Sequence, residues 1–176
     1  LTDNGDVFCA GNNSYGQLGL NDNEERNKFT KVTIPDNDNK VIAISSAQYH
    51  TFILTDNGDV FCTGKNSSGQ LGLNDNEDRK QFTKVTIPVN DNKVIAISTG
   101  GKQTFILTDN GDVFCTGENW HGQLGLNDDD NRKQFTKVTI PENENKVVYI
   151  NSGVDHTFIL TDNGDVFCAG NNSYGQ

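Results

Sequence analysis

The sequence predicts an all-β protein: part of a β-propeller, with about three blades of four antiparallel strands each. Three observations carry that expectation. The chain repeats itself at a long period, every copy holds an Asn-Gly hairpin signal, and no stretch has apolar residues at helical spacing.

The period is 53 residues. Leu1-Thr2-Asp3-Asn4-Gly5-Asp6-Val7-Phe8-Cys9 returns at Leu54 to Cys62, at Leu107 to Cys115 and at Leu160 to Cys168. Residues 160–176 reproduce residues 1–17 letter for letter. The copies are 1–53, 54–106, 107–159 and the truncated 160–176, read together as one partial propeller over residues 1–176. Just over three blades is fewer than the four to eight of a closed propeller. The chain also lacks methionine and begins and ends inside a repeat. It is therefore expected to be part of a longer array, or an open arc that self-associates through its blade edges.

Within a unit, Thr51 to Thr55 and Val60 to Thr63 are rich in β-branched and aromatic residues and flank Asp56-Asn57-Gly58-Asp59. Asn-Gly between such runs predicts a type I′ hairpin, because both residues tolerate positive φ. With Asn57 and Gly58 as the loop, Leu54 faces Phe61 and Ile53 faces Cys62. Both hairpin faces are then apolar and both need covering, as in sheets stacked radially. Two further strands are expected at Phe82 to Ile87, closed by Pro88, and at Lys93 to Ser98, joined by Val89-Asn90-Asp91-Asn92. A solenoid is the less suitable alternative, since its coils are shorter than this unit.

Gly64-Lys65-Asn66-Ser67-Ser68-Gly69-Gln70-Leu71-Gly72, with Val41-x-x-Ile44-x-x-Ala47-x-x-His50-Thr51 and the hairpin, resembles the repeat of the regulator of chromosome condensation family. That family's pattern runs V-x-x-V-x-x-G-x-x-H-T, L-T-x-x-G-x-V and G-x-N-x-x-G-Q-L-G, and the resemblance implies a blade of a seven-bladed propeller. The sequence departs from it at Ala47, in place of glycine, at Gln103, in place of histidine, and at Cys62 and its equivalents, in place of a frequent tryptophan. The resemblance also implies an alternative function, guanine nucleotide exchange on a small GTPase.

Composition narrows the partners. With 24 acidic against 14 basic residues, net charge −10 and pI near 4.5, the chain repels phosphate backbones and anionic membranes. Lysines are scattered singly, so no nucleic acid and no membrane partner is expected, and no apolar run has transmembrane length. Cys9, Cys62, Cys115 and Cys168 occupy one place per copy and are expected as buried, reduced thiols, which favours a cytoplasmic or nuclear compartment. Neither Cys-x-x-Cys nor a short Cys-to-His spacing offers a zinc site. The loops Asn74 to Asp78 and Asn127 to Asn131 supply oxygen ligands, so a structural or calcium-binding module is a second alternative. They lack the EF-hand spacing, however, and fit solvated turns. No phosphate loop and no nucleophile signature occurs, so neither catalysis nor a cofactor is expected.

Differences between copies locate a candidate binding face, because what differs among near-identical blades is not required by the blade. They concentrate at 46–50, 99–103 and 152–156, and at 12–15, 65–68 and 118–121. Both groups lie at the hairpin end opposite the Asn-Gly turn. The expected face carries Tyr15, Tyr49, His50, Lys102, Trp120, His121, Asp155 and Tyr174, aromatics and charges suited to recognising a protein. His50 and His156 correspond to Gln103, which points to a structural hydrogen-bonding role for the histidine position. The expected function is a protein-interaction platform, its partner a protein, with a small GTPase among the candidates.

Overall fold

A computed structural model describes residues 1–35, 38–88, 92–141 and 145–176. The described residues form thirteen strands and no helix, so no helix is long and apolar enough to cross a membrane. The strands are β1 (Phe8–Gly11), β2 (Arg26–Lys31), β3 (Val41–Ser46), β4 (His50–Thr55), β5 (Val60–Gly64), β6 (Arg79–Lys84), β7 (Val94–Thr99), β8 (Gln103–Thr108), β9 (Val113–Gly117), β10 (Arg132–Lys137), β11 (Val147–Ser152), β12 (His156–Thr161) and β13 (Val166–Gly170). They build four antiparallel sheets: β1-β2, β3-β4-β5-β6, β7-β8-β9-β10 and β11-β12-β13. This is the open, partial propeller that the repeat predicts, with two four-stranded blades between two smaller sheets.

Strand alternation sends successive side chains to opposite neighbours, which is why the central hairpins are apolar on both faces. Phe52, Leu54 and Cys62 enter the core shared with the following blade, while Ile53 and Phe61 enter the core shared with the preceding one. A third core, around Phe105, Leu107, Cys115 and Ile150, lies between the third and fourth sheets. The first strands of neighbouring blades lie side by side, tied by Ser45 Oγ to Thr99 Oγ1 at 2.9 Å and by Ser152 N donating to Ser98 Oγ at 2.9 Å.

The hairpin differs from expectation by one residue of register. Leu54 pairs with Val60, Ile53 with Phe61 and Phe52 with Cys62, across the three-residue loop 56–58. Only Gly58 takes positive φ there, at 92°. The side-chain oxygen of Asn57 accepts from Thr55 Oγ1 at 2.5 Å and from Asp59 N at 3.1 Å, so it braces the loop from within in place of the type I′ geometry. Both faces remain buried. The outer strand is also displaced: β6 covers Arg79–Lys84, three residues before the expected start, because this edge strand is mostly polar and buries only Phe82. Val85 lies in the core just beyond it. Of the expected linker, Val89, Asn90 and Asp91 lie outside the described residues.

Each blade is fastened to the next through the segment Asn-x-x-Gly-Gln-Leu-Gly. Asn66 is fully buried: its amide nitrogen donates to Asp75 O and Oδ1, and its oxygen accepts from Leu71 N at 2.9 Å, which closes the loop. A Cβ at Gly69 would lie 2.5 Å from the Arg132 carbonyl oxygen, and one at Gly72 would lie 2.6 Å from the Phe135 ring. Absent side chains thus let β10 of the next blade close onto the loop. Thr116 Oγ1 donates to Gly69 O at 2.8 Å and to Arg132 O at 2.9 Å, and Asn74 N donates to Lys133 O at 2.7 Å, completing the joint.

Phe135 and Phe29 occupy equivalent places in the repeat, yet Phe135 is 4% exposed in this joint and Phe29 is 78% exposed. Phe135→Ala is expected to cost about 3–5 kcal/mol in urea denaturation, and Phe29→Ala in dilute solution to change stability by no more than about 0.5 kcal/mol. Equal costs would show that the joint contributes nothing.

Candidate functional site: the face opposite the hairpin turns

Two segments of each repeat meet at the end of the blade opposite the Asn-Gly loop. The turn between the first and second strands is tied to the residue leaving the third strand by one backbone hydrogen bond: Lys65 N to Tyr49 O at 2.8 Å, Glu118 N to Lys102 O at 2.9 Å and Asn171 N to Asp155 O at 2.9 Å. The segments in which the copies differ are therefore held side by side by backbone common to all of them.

Their side chains form two clusters. Tyr15 packs edge-to-face on Tyr49 with ring centroids 5.3 Å apart, and Lys65 Nζ sits 4.4 Å from the Tyr15 centroid and 5.1 Å from that of Tyr49. In the second cluster Lys102 Nζ is 2.7 Å from Glu118 Oε1 and 5.6 Å from the Trp120 centroid, while Ser68 Oγ lies 3.5 Å from the same carboxylate oxygen. The cation–π contacts preorganise these aromatics, each worth about 0.5–1 kcal/mol at exposed positions. Trp120 remains 66% exposed, and Tyr174 and His121 are exposed, with no ring contact among the described residues. Asp155 is half-buried. Lys65 and the buried Glu118 also belong to the clusters, beyond the residues expected on this face. The signal was present, since both stand at positions where the copies differ.

His50 is corrected. It is fully buried and displays nothing: its ring Nε2 lies 3.0 Å from Thr104 Oγ1 of the next blade. Gln103, its counterpart, is equally buried and donates to Gly153 O at 3.0 Å. Position 50 is thus a polar tie between blades. The thiols are corrected in part. Cys62 and Cys115 are buried, but Cys9 is half-buried and Cys168 exposed, because no fourth strand covers β13 among the described residues. All four are free. Burial pushes the Cys62 thiol far up and the Cys115 thiol up to about 12, so neither reacts as a thiolate.

In the acidic loops Asp75 and Asp128 use their carboxylates internally. Asp75 Oδ2 accepts from Arg79 at 2.6 Å, and Asp128 Oδ2 from Arg132 at 2.5 Å, a bond that holds the Asp128 carboxyl below its ordinary range. Asp75 Oδ1 and Asp128 Oδ1 also accept from Asn66 and Asn119, so the oxygens a cation would use already brace the loops.

Burial pushes His50 down to about 4. The unfolded chain therefore takes up a proton below about pH 6.5 that the folded chain refuses until about pH 4. Stability from this site is complete above about pH 6.5, falls as pH drops through that window and levels off below it. His50→Gln, which installs the residue of the sister blade, is expected to flatten urea stability between pH 6 and pH 4.5 by about 1.4 kcal/mol per pH unit. An unchanged slope would contradict the assignment.

The Regulator of chromosome condensation (RCC1) repeat model matches residues 4–54, 57–107 and 110–160, and a second model of the same description matches 41–70, 94–123 and 147–176. The human X-linked retinitis pigmentosa GTPase regulator is 33% identical over 144 residues, 81% of this chain and 13% of that protein. Among solved structures, human WBSCR16 aligns with TM-score 0.85 and 28% identity, over 97% of this chain and 44% of that one. Yeast RCC1 (Prp20), solved bound to Kap60, aligns with TM-score 0.81 and 21% identity, over 96% and 40%. The chain thus spans about an eighth of the length of the curated relative and less than half of each structure. It belongs to the regulator of chromosome condensation repeat family.

Proposed function

We propose that the chain is a non-enzymatic protein-interaction platform whose partner docks on the face of Tyr15, Tyr49, Lys65, Lys102 and Trp120, with the buried Glu118 holding Lys102 in place. One observation carries this reading: residues that differ between otherwise near-identical blades converge on one face, while most residues of the joints and cores repeat. Trp120 is exposed and Tyr15 and Tyr49 are half-buried, and aromatics held by charged neighbours are among the groups that supply most of the binding energy at protein interfaces. Yeast RCC1 was solved with a protein, Kap60, and the human relative is named as a GTPase regulator, so a small GTPase is the first partner to test. The net charge of −10 weighs against nucleic acid and anionic membrane as partners. Buried free thiols favour the cytoplasm or nucleus.

The test immobilises the chain and measures binding of purified small GTPases, then of proteins captured from cell extract and identified by mass spectrometry. Trp120→Ala and Tyr49→Ala are each expected to weaken binding about tenfold or more without altering the circular dichroism spectrum. Binding unaffected by both would overturn the reading. Accelerated release of a fluorescent guanine nucleotide from a bound GTPase would instead establish nucleotide exchange.

A further inference from the structure

The loop of each central hairpin carries an Asn-Gly pair whose chemistry goes beyond its turn. Asn57-Gly58, Asn110-Gly111 and Asn163-Gly164 stand in the loops that join β4 to β5, β8 to β9 and β12 to β13. Asparagine followed by glycine is the pair most open to deamidation, because glycine has no Cβ to hinder attack by its own nitrogen. That nitrogen attacks the side-chain carbonyl carbon of the asparagine. A C–N bond forms, and the carboxamide nitrogen leaves as ammonia, taking the glycine amide proton. Water then opens the cyclic succinimide at one carbonyl or the other, which leaves aspartate or isoaspartate. Water is the sole co-reactant.

In the closed loop the atoms of that reaction are all engaged. Asn57 Oδ1 accepts from Thr55 Oγ1 at 2.5 Å and from Asp59 N at 3.1 Å, and Asn57 Nδ2 donates to Asp59 Oδ2 at 3.0 Å. The nucleophile, Gly58 N, donates to Thr55 O at 3.0 Å. The same four bonds recur around Asn110 and Asn163. The three asparagines are exposed, whereas Thr55, Thr108 and Thr161 are buried, so a buried hydroxyl anchors each exposed carboxamide. Attack requires the carboxamide to turn onto the glycine nitrogen, which breaks the set. The loop also decides what the product does. Aspartate at 57 replaces the Nδ2 donor by a carboxylate oxygen facing Asp59 Oδ2, and like charges at hydrogen-bond distance repel. Isoaspartate adds a methylene to the main chain of a loop whose ends are fixed by the Leu54↔Val60 pairing.

We propose that Asn57, Asn110 and Asn163 are covalent modification sites guarded by the fold. The closed loop holds its asparagine inert. An opened loop deamidates, and the product keeps it from closing as before. Each hairpin thus keeps an irreversible record of its own opening, written as a new negative charge.

Mass spectrometry of the 176-residue chain, incubated in heavy-oxygen water at mildly alkaline pH, tests this, because the three sites fall in three different tryptic peptides and are read separately. In the folded chain each site is expected to convert at least about thirtyfold more slowly than in guanidinium, since the four bonds must open first. Thr55→Val keeps the β-branched shape of a buried residue and removes its hydroxyl. It is expected to speed conversion at Asn57 about three- to tenfold while Asn110 and Asn163 keep their wild-type rates. Asn57→Asp, which installs the product, is expected to lower the melting temperature by about 2–4 °C. Conversion as fast in the folded chain as in guanidinium would overturn the proposal, as would an unchanged rate at Asn57 in folded Thr55→Val. Asn57→Asp melting with the wild type or above it would also contradict it, since the product would then leave the loop undisturbed. If circular dichroism shows Thr55→Val unfolded, the comparison of folded with guanidinium-unfolded wild type decides alone.

Discussion

The close approach of each Gly-x-x-Gly loop to the outer strand of the next blade is the contact on which the rest of the molecule depends. A single blade cannot bury both apolar faces of its central hairpin, and the joint sets the distance at which the neighbouring sheet covers them. Gly69 and Gly72 admit the backbone and ring of β10, and Asn66 closes the loop behind them. Thr116 then ties that loop to the next blade. Cys62, Phe52 and Leu54 are buried because Phe135 and Phe114 of the following blade complete their core. His50 is held neutral and dry for a related reason, since its hydrogen-bond partner Thr104 belongs to that blade.

The part of this account legible in the sequence is the part that is local or periodic. The repeat gave the blade, and the β-branched runs around Asp56 to Asp59 gave the central hairpin with two buried faces. Details decided by single side chains were not legible. Asn57 was expected to adopt positive φ itself, but its carboxamide oxygen braces the loop, which moves the register by one residue. The outer strand is placed by pairing with β5 and not by its own apolar residues, so the expectation began too late. Relations between blades were the least legible. The burial of His50 against Thr104 and the contact of Lys65 with Tyr15 join residues whose distance in sequence says nothing about their distance in space.

The same division separates structure from recognition. The asparagine, glycines and phenylalanine of the joint repeat from copy to copy because each copy must dock on the next, and substitutions there would disturb two blades at once. On the face opposite the hairpin turns the repeat relaxes, and there Tyr15, Ser68 and His121 stand at one position in three different copies. Lys65 and Lys102 sit over aromatic rings on that face, so the variable positions still form ordered clusters. A repeated frame thus presents a surface that does not repeat, which suits a single asymmetric partner better than a repeated ligand.

The central claim is that the neighbouring blade adds a hold on each joined loop beyond the one its own asparagine provides. Amide hydrogen exchange at Asn21, Asn74 and Asn127 in a dilute, monomeric chain tests it most directly, because the three residues share one conformation with φ of 61° to 64°. Slow exchange at Asn21 and Asn74, whose amides donate to the next blade, with fast exchange at Asn127 is the predicted result. Equal protection at all three would show that the loops hold themselves and would contradict the account.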